Sequence, residues 1–444
     1  MEKNSVKVFD VTLREGEQTP GLFFSPAEKV WLVKRMIEAG IRHIEVGVVG
    51  ISEDEAAFRA MIEQGLTEKA EISMTLLPCA ELCDKALNSD IKYLNIVFPV
   101  TACLAETFKF TVDSYIKYHI PWIEILRETG KQIRMALADA SRFVLLNPEQ
   151  KIAHDKSVIE KNLATLIELI RSFHQHGVDG FIFTDTVGLL TPSEVSLCMS
   201  RLRREFPEVE WGAHFHNDFG LATANTLTAY EQGATLLQGS FNFLGERCGI
   251  ASPAEIIAAL RYLYGVKVNI DLAEIRRLAY EIEEMTGMVI NERQPVIGRG
   301  LYWYETATPV LTMLNREAGI FETVPAEGAG AERKILIGKH TSRKLFKLYQ
   351  DYGIIGQGHE LKALKKQAIK RRAGKLSELK KIIQNYHHEV EESCCLLPVS
   401  LPKPPSATVA SVVSEEAETE TENLLNKPAK KAFTRKAALV VNNS

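Results

Sequence analysis

Between Lys7 and Ser240 one alternation recurs eight times: a short apolar run, then a longer stretch with helical periodicity. The runs are Lys7–Leu13, His43–Gly47, Glu71–Leu76, Tyr93–Phe98, Gln132–Ala138, Gly180–Thr184, Trp211–His216 and Thr235–Ser240. Eight such units in about 260 residues predict a (β/α)8 TIM barrel. A doubly wound open sheet is the main alternative. The barrel is preferred because polar residues cluster at the C-terminal ends of runs spread over the whole set. Only a closed barrel brings all those ends to one face. The first helix is well marked: Ser25 caps it, Pro26 opens it, Glu28 completes a capping box and Gly40 stops it.

The alternation predicts a catalytic domain over 1–270 and a small, mostly helical C-terminal region over 271–390. A tail over 391–444, rich in Pro, Ser, Thr and Glu, reads as disordered. The chain carries 53 Lys+Arg against 57 Asp+Glu, a net charge of −4, which argues against a nucleic-acid partner. The basic stretch between Leu361 and Tyr386 reads as a solvated helix face. No apolar run reaches the ~18 residues of a membrane helix. The opening MEKNSVKVFD lacks an apolar signal core, so a cytoplasmic protein is expected. Seven scattered cysteines do not form a disulfide framework. Cys248 reads as a buried, inert thiol.

Three clusters carry chemistry. His214-Phe-His216-Asn-Asp218 ends the seventh run, and residues i and i+2 of a strand point to one side. Both imidazoles then face the barrel mouth, a suitable pair of ligands for a divalent metal. Asp10-Val-Thr-Leu-Arg14-Glu15-Gly-Glu-Gln18 ends the first run, and Glu15 is the candidate third ligand. Two imidazoles and one carboxylate leave coordination positions open, as a catalytic metal requires. Glu45, ending the second run, needs a buried partner, and Arg14 on the neighbouring strand is the candidate. Thr184-Asp-Thr186-Val-Gly188 and Leu244-Gly-Glu-Arg-Cys-Gly249 belong to the same face, the latter where barrels hold anions on loop amides.

Taken in order, T-L-R-E-G-E-Q, I-E-V-G, D-T-V-G, H-x-H-N-D and G-E-R-x-G resemble the homocitrate synthase and 2-isopropylmalate synthase family. That family lies within the metal-dependent barrel superfamily that includes hydroxymethylglutaryl-CoA lyase. Glu15, and GVVGISEDEAAF after the second run, resemble homocitrate synthases in particular. ILIGKHTSR at Ile335–Arg343 resembles a segment of the synthases' C-terminal region. The resemblance implies an acyltransferase that condenses acetyl-CoA, as co-substrate, with a 2-oxo acid and hydrolyses the thioester. It implies Glu15, His214 and His216 on a divalent metal (Mg, Mn or Zn), and Arg14, oriented by Glu45, at the developing oxyanion. Gln18, Thr186 and Arg134 are then the substrate-binding candidates, and a homodimer is expected.

The family's Ser-x-Glu on strand five is here Ala136 and Ala138, with Asp139 one residue displaced. Thr101-Ala-Cys-Leu104 lacks the family's His, Ile250 stands for an Asn, and the stretch from Tyr302 has lost two histidines. Asp139, Glu106 and Tyr304 are the candidate replacements. The metal and oxyanion groups thus match while the acid/base groups do not. Two other readings stay open: a lyase running the retro-aldol or retro-Claisen direction, and a non-catalytic paralogue that keeps the metal site.

Overall fold

The computed structural model describes residues 6–370 apart from 78, 108, 315–317 and 369. The proposed tail and most of the basic stretch lie outside these residues. Eight parallel strands close into a barrel in sequence order, with β8 pairing back to β1. They are β1 (Lys7–Asp10), β2 (His43–Val48), β3 (Glu71–Leu76), β4 (Tyr93–Pro99), β5 (Gln132–Ala138), β6 (Gly180–Asp185), β7 (Glu210–Phe215) and β8 (Leu236–Gly239). The open-sheet alternative is excluded by this closure.

All eight expected runs are strands, and the boundaries that move have local causes. β1 stops at Asp10, not Leu13. The Asp10 carboxylate accepts the Thr12 backbone N–H and hydroxyl, both at 3.0 Å, and Arg14 and Glu15 return their N–H groups to the Val11 carbonyl. That bends the chain into a helical turn, which lifts Arg14, Glu15 and Gln18 over the mouth. β7 ends at Phe215, and His216 instead bridges Ile250. The first helix runs Pro26–Ala39 with its Ser25–Glu28 capping box formed and Gly40 left-handed at its end.

Phe9, Val11, Ile182, Leu236 and Ile250 fill the barrel interior. A larger apolar layer lies between the strands and the surrounding helices. Below the interior layer, Arg134 on β5 donates from Nε to Glu210 at 2.8 Å and pairs through Nη1 with Glu71. Lys7 reaches Glu210 at 2.6 Å. These side chains come from the first residues of β1, β3 and β7 and from early β5, so they form the barrel's floor.

The described chain divides into two compact units, one running to Tyr302 and taking in Glu322–Glu332, the other Trp303–Phe321 with Arg333 onward. The expected boundary at 270 falls instead at 302. The helix Leu272–Thr286 buries Leu272, Ile275, Leu278, Ala279 and Ile282 in the first unit's core. The second unit has a two-stranded sheet, Trp303–Tyr304 beside Lys334–Ile335, and two longer helices, Ala307–Leu314 and Arg343–Asp351. Val310, Ile335, Leu345 and Tyr349 form its own core. No helix among the described residues is long and apolar enough to cross a membrane. Cys248 is exposed, against expectation.

Candidate active site

The C-terminal ends of the strands open onto a cavity of about 350 Å³, lined among others by Arg14, Glu15, Gln18, Glu45, Thr186, His214 and His216. Six of these come from β1, β2 and β7 or the turns that follow them; Thr186 follows β6. Arg14 bridges two carboxylates, donating from Nε to Glu45 at 2.7 Å and from Nη1 to Glu15 at 2.6 Å. The bonds to these two carboxylates use Nε and Nη1 and leave Nη2 outside both. Glu45 is 1% exposed, and it also accepts from Thr75 at 2.7 Å and Asn95 at 2.6 Å. Burial works against its charge, but Arg14 and these two donors outweigh that and hold its pKa below the usual carboxylate range. The flanking Gly47 has a packing reason: a Cβ there would run into the Asp54 carboxylate.

Glu15, His214 and His216 each offer a ligand atom, and these atoms all lie within 4.8 Å of one another. His214 Nδ1 is 2.7 Å from the Gln238 carbonyl oxygen, which sets Nδ1 as the protonated nitrogen and leaves the Nε2 lone pair facing inward. The two Nε2 atoms approach to 3.3 Å, and His216 Nε2 is 3.8 Å from Glu15. Burial, then the Arg14 charge, pushes His214 down to about 4; burial, then His214, pushes His216 down to about 3. Both rings are therefore neutral at pH 7, the form that binds metal. A buried neutral pair converging on a carboxylate fits a divalent cation. The loop after β8 keeps clear of this point: a Cβ on Gly245 would come within 2.9 Å of the Glu15 carboxylate. The Glu246 N–H meets that carboxylate at 3.3 Å, so this loop's amide holds the protein's own anion.

Gln18 lies in the cavity, but with its amide nitrogen towards Glu15 it donates at 2.6 and 3.1 Å, so it steadies the Glu15 carboxylate. Thr186 Oγ1 accepts the Asp139 N–H at 2.8 Å, leaving the hydroxyl proton to donate. Arg134 does not reach the site. It is bound to Glu71 and Glu210 at the barrel floor because it sits early in β5, four residues before the mouth-facing Ala138. Of the replacement acid/base candidates, Asp139 turns its carboxylate to Thr101 (2.8 Å) and Arg142 (3.0 Å), and Glu106 is exposed on a short helix.

Sequence reasoning passed over Gln238, Thr75 and Asn95, although a polar residue inside an apolar strand was a usable signal for each. It also passed over Lys29, which is completely buried and donates to Glu17 and Asp54 at 2.5 Å and to the Leu13 and Val46 carbonyls. Lys29 ties the Arg14 turn to β2 from beneath.

A closed parallel barrel with two histidines and a carboxylate converging at its C-terminal mouth defines a metal-dependent barrel enzyme. The HMGL-like family model matches residues 5–282, and the chain belongs to that family. A homocitrate synthase of Methanopyrus kandleri is 30% identical over 77% of this chain and 81% of its own. An (R)-citramalate synthase of Methanocaldococcus jannaschii is 28% identical over 78% of this chain and 66% of its own, so the chain spans just under two thirds of that enzyme. Among solved structures, the HMG-CoA lyase of Bacillus subtilis superposes with a TM-score of 0.56 at 18% identity, over 66% of this chain and 97% of that one. At that identity it speaks to the fold alone.

Proposed function

We propose that this chain is an acyltransferase of the homocitrate synthase type, which condenses acetyl-CoA with a 2-oxo acid in a metal-dependent Claisen reaction and hydrolyses the thioester. The observation that carries this is the Glu15–His214–His216 cluster with Arg14 bridging Glu15 and Glu45 beside it. Its relatives bear the names of enzymes that make homocitrate and citramalate. Mg, Mn or Zn suits the one-carboxylate, two-imidazole set. A bound divalent ion would polarise the ketone of the oxo acid and lower the cost of negative charge there.

Arg14 offers Nη2 to the oxygen on which charge develops. Its direction is fixed by Glu45, itself held by Thr75 and Asn95, so no reorganisation is needed as charge appears. Thr186 donates its hydroxyl to the carboxylate of the oxo acid. Gln18 holds Glu15 in place. Ala136 and Ala138 carry no titratable group, so no proton transfer is assigned to β5. A cytoplasmic homodimer completes the reading, and sedimentation of the purified protein would check the dimer.

The test is thiol release. Protein loaded with manganese receives acetyl-CoA and a panel of 2-oxo acids. Release that requires an oxo acid and falls by about 10²-fold or more in Arg14→Met is expected. No release above His216→Ala with any acid would sink the proposal, and cleavage of a hydroxyacyl-CoA without added acetyl-CoA would put a lyase in its place.

A further inference from the structure

The cavity has two unlike halves. Arg14, Glu15, Glu45, His214 and His216 form one side. The other, built from the ends of β3 to β6 and the short helix after β4, is mainly Leu77, Val97, Leu104, Ala136, Ala138 and Ile182, with Thr184, whose hydroxyl donates to the Ile182 carbonyl at 3.4 Å, and Thr186 at its β6 edge. At the base of this wall Thr75 donates to Glu45, and Asn95 donates to Glu45 and to the Ser73 hydroxyl.

The charges are as one-sided as the surfaces. Arg14 is the only Lys or Arg lining the cavity among the described residues, and two of its donors are taken by Glu15 and Glu45. The nearby cations are committed elsewhere: Arg247 to Asp218 and Glu246, Arg142 to Asp139, and Arg134 to the floor. Glu246, which also lines the cavity, shares Arg247 with Asp218, so this pair adds no positive charge to the cavity. Imidazoles that hold a metal do so in the neutral form, so Arg14, Glu15 and Glu45 set the local charge at one net negative. A divalent ion turns that into one net positive charge, which matches a single carboxylate. A second carboxylate would press against a mainly apolar wall with no cation to pair with, and an unpaired buried charge is strongly disfavoured.

We infer that the acceptor is a 2-oxo acid with one carboxylate and a short apolar side chain packed against the Leu77–Ile182 wall, not an oxo dicarboxylate. This rests on the condensation reading above and selects within it. Ala136 and Ala138 are the specificity-determining positions, because their small side chains leave the room that the acceptor's alkyl group fills. Leu104 closes the wall at the rim.

The test reads binding separately from turnover. Calorimetric titration of the manganese-loaded protein with 2-oxobutyrate, 2-oxoisovalerate, pyruvate and 2-oxoglutarate gives an affinity order without any chemistry. 2-Oxobutyrate or 2-oxoisovalerate should bind about 10-fold or more tighter than pyruvate, the return expected from one or more buried carbons, and tighter still than 2-oxoglutarate. Leu104→Lys, a change at the rim, should raise the affinity for 2-oxoglutarate and lower it for 2-oxoisovalerate. Binding of 2-oxoglutarate as tight as that of the apolar acids would overturn the inference, as would thiol release driven best by 2-oxoglutarate, which would leave the condensation itself standing. The expected affinity order without thiol release would support the inference and sink the condensation.

Discussion

The His214 ring is held by one side-chain bond, and His216 sits on the backbone bridge to Ile250. Gln238 accepts the His214 Nδ1 proton, so Gln238→Leu frees the ring and should weaken metal binding by about 10–100-fold in a competition titration. An unchanged affinity would mean that packing alone orients the ring. His216→Ala removes a proposed ligand, and elemental analysis should then find no stoichiometric metal; full occupancy would refute the assignment. At this scale the sequence was readable wherever spacing on a strand decides direction. The H-x-H pair, Glu15 and the Arg14–Glu45 pair were named from their strand-end positions, and the structure brings them together. Arg134 was misplaced because a strand residue's face can be read from alternation, whereas its depth along the barrel axis depends on the stagger between strands.

The turn after β1 and the bulge in β2 are locked from below by Lys29, which comes from the first helix and meets Glu17 and Asp54. Lys29→Met would leave both carboxylates without their cation, and Asp54 is almost wholly buried. A loss of about 3–5 kcal/mol in urea unfolding is expected; a loss below about 1 kcal/mol would show that water reaches the site. The floor gives a pH signature. Burial opposes the Glu71 charge, but His43 and Arg134 prevail and lower its pKa from 4.5 to about 2. A depressed carboxylate stabilises the fold above its unfolded pKa, and that stability drains as pH falls through the folded value. Wild type should therefore lose more stability than Glu71→Gln between about pH 5 and pH 3, and equal losses would remove Glu71 from the acid limb. Neither element was foreseen: a lysine in an amphipathic helix looks solvent-facing until the turn it supports is folded above it.

For the molecule as a whole, the cluster ties β1 to β7, strands about 200 residues apart in the chain. Metal that binds only the folded barrel must stabilise it. At about a hundredfold excess over Kd the gain is about 2.7 kcal/mol, seen as a rise in Tm on adding manganese that His216→Ala does not show. An equal rise in both proteins would place the ion elsewhere. The division into units also has a physical reason. Composition does not change at 270, but the helix Leu272–Thr286 has an apolar face that the barrel's outer layer covers.

Local information was enough for the eight strands, the capped first helix and the chemical character of the mouth. Hydrophobic period, caps and strand-end polarity are written in neighbouring residues and need no partner to be read. Closure of the barrel, the seating of Lys29, Gln238 and Asn95, and the depth of Arg134 arise from contacts between segments far apart in the chain. The same holds for the apolar half of the cavity. Ala136, Ala138 and Ile182 are ordinary strand residues one at a time, and they become the proposed recognition surface when two neighbouring strands, β5 and β6, set them in the cavity with Arg14 and the two histidines.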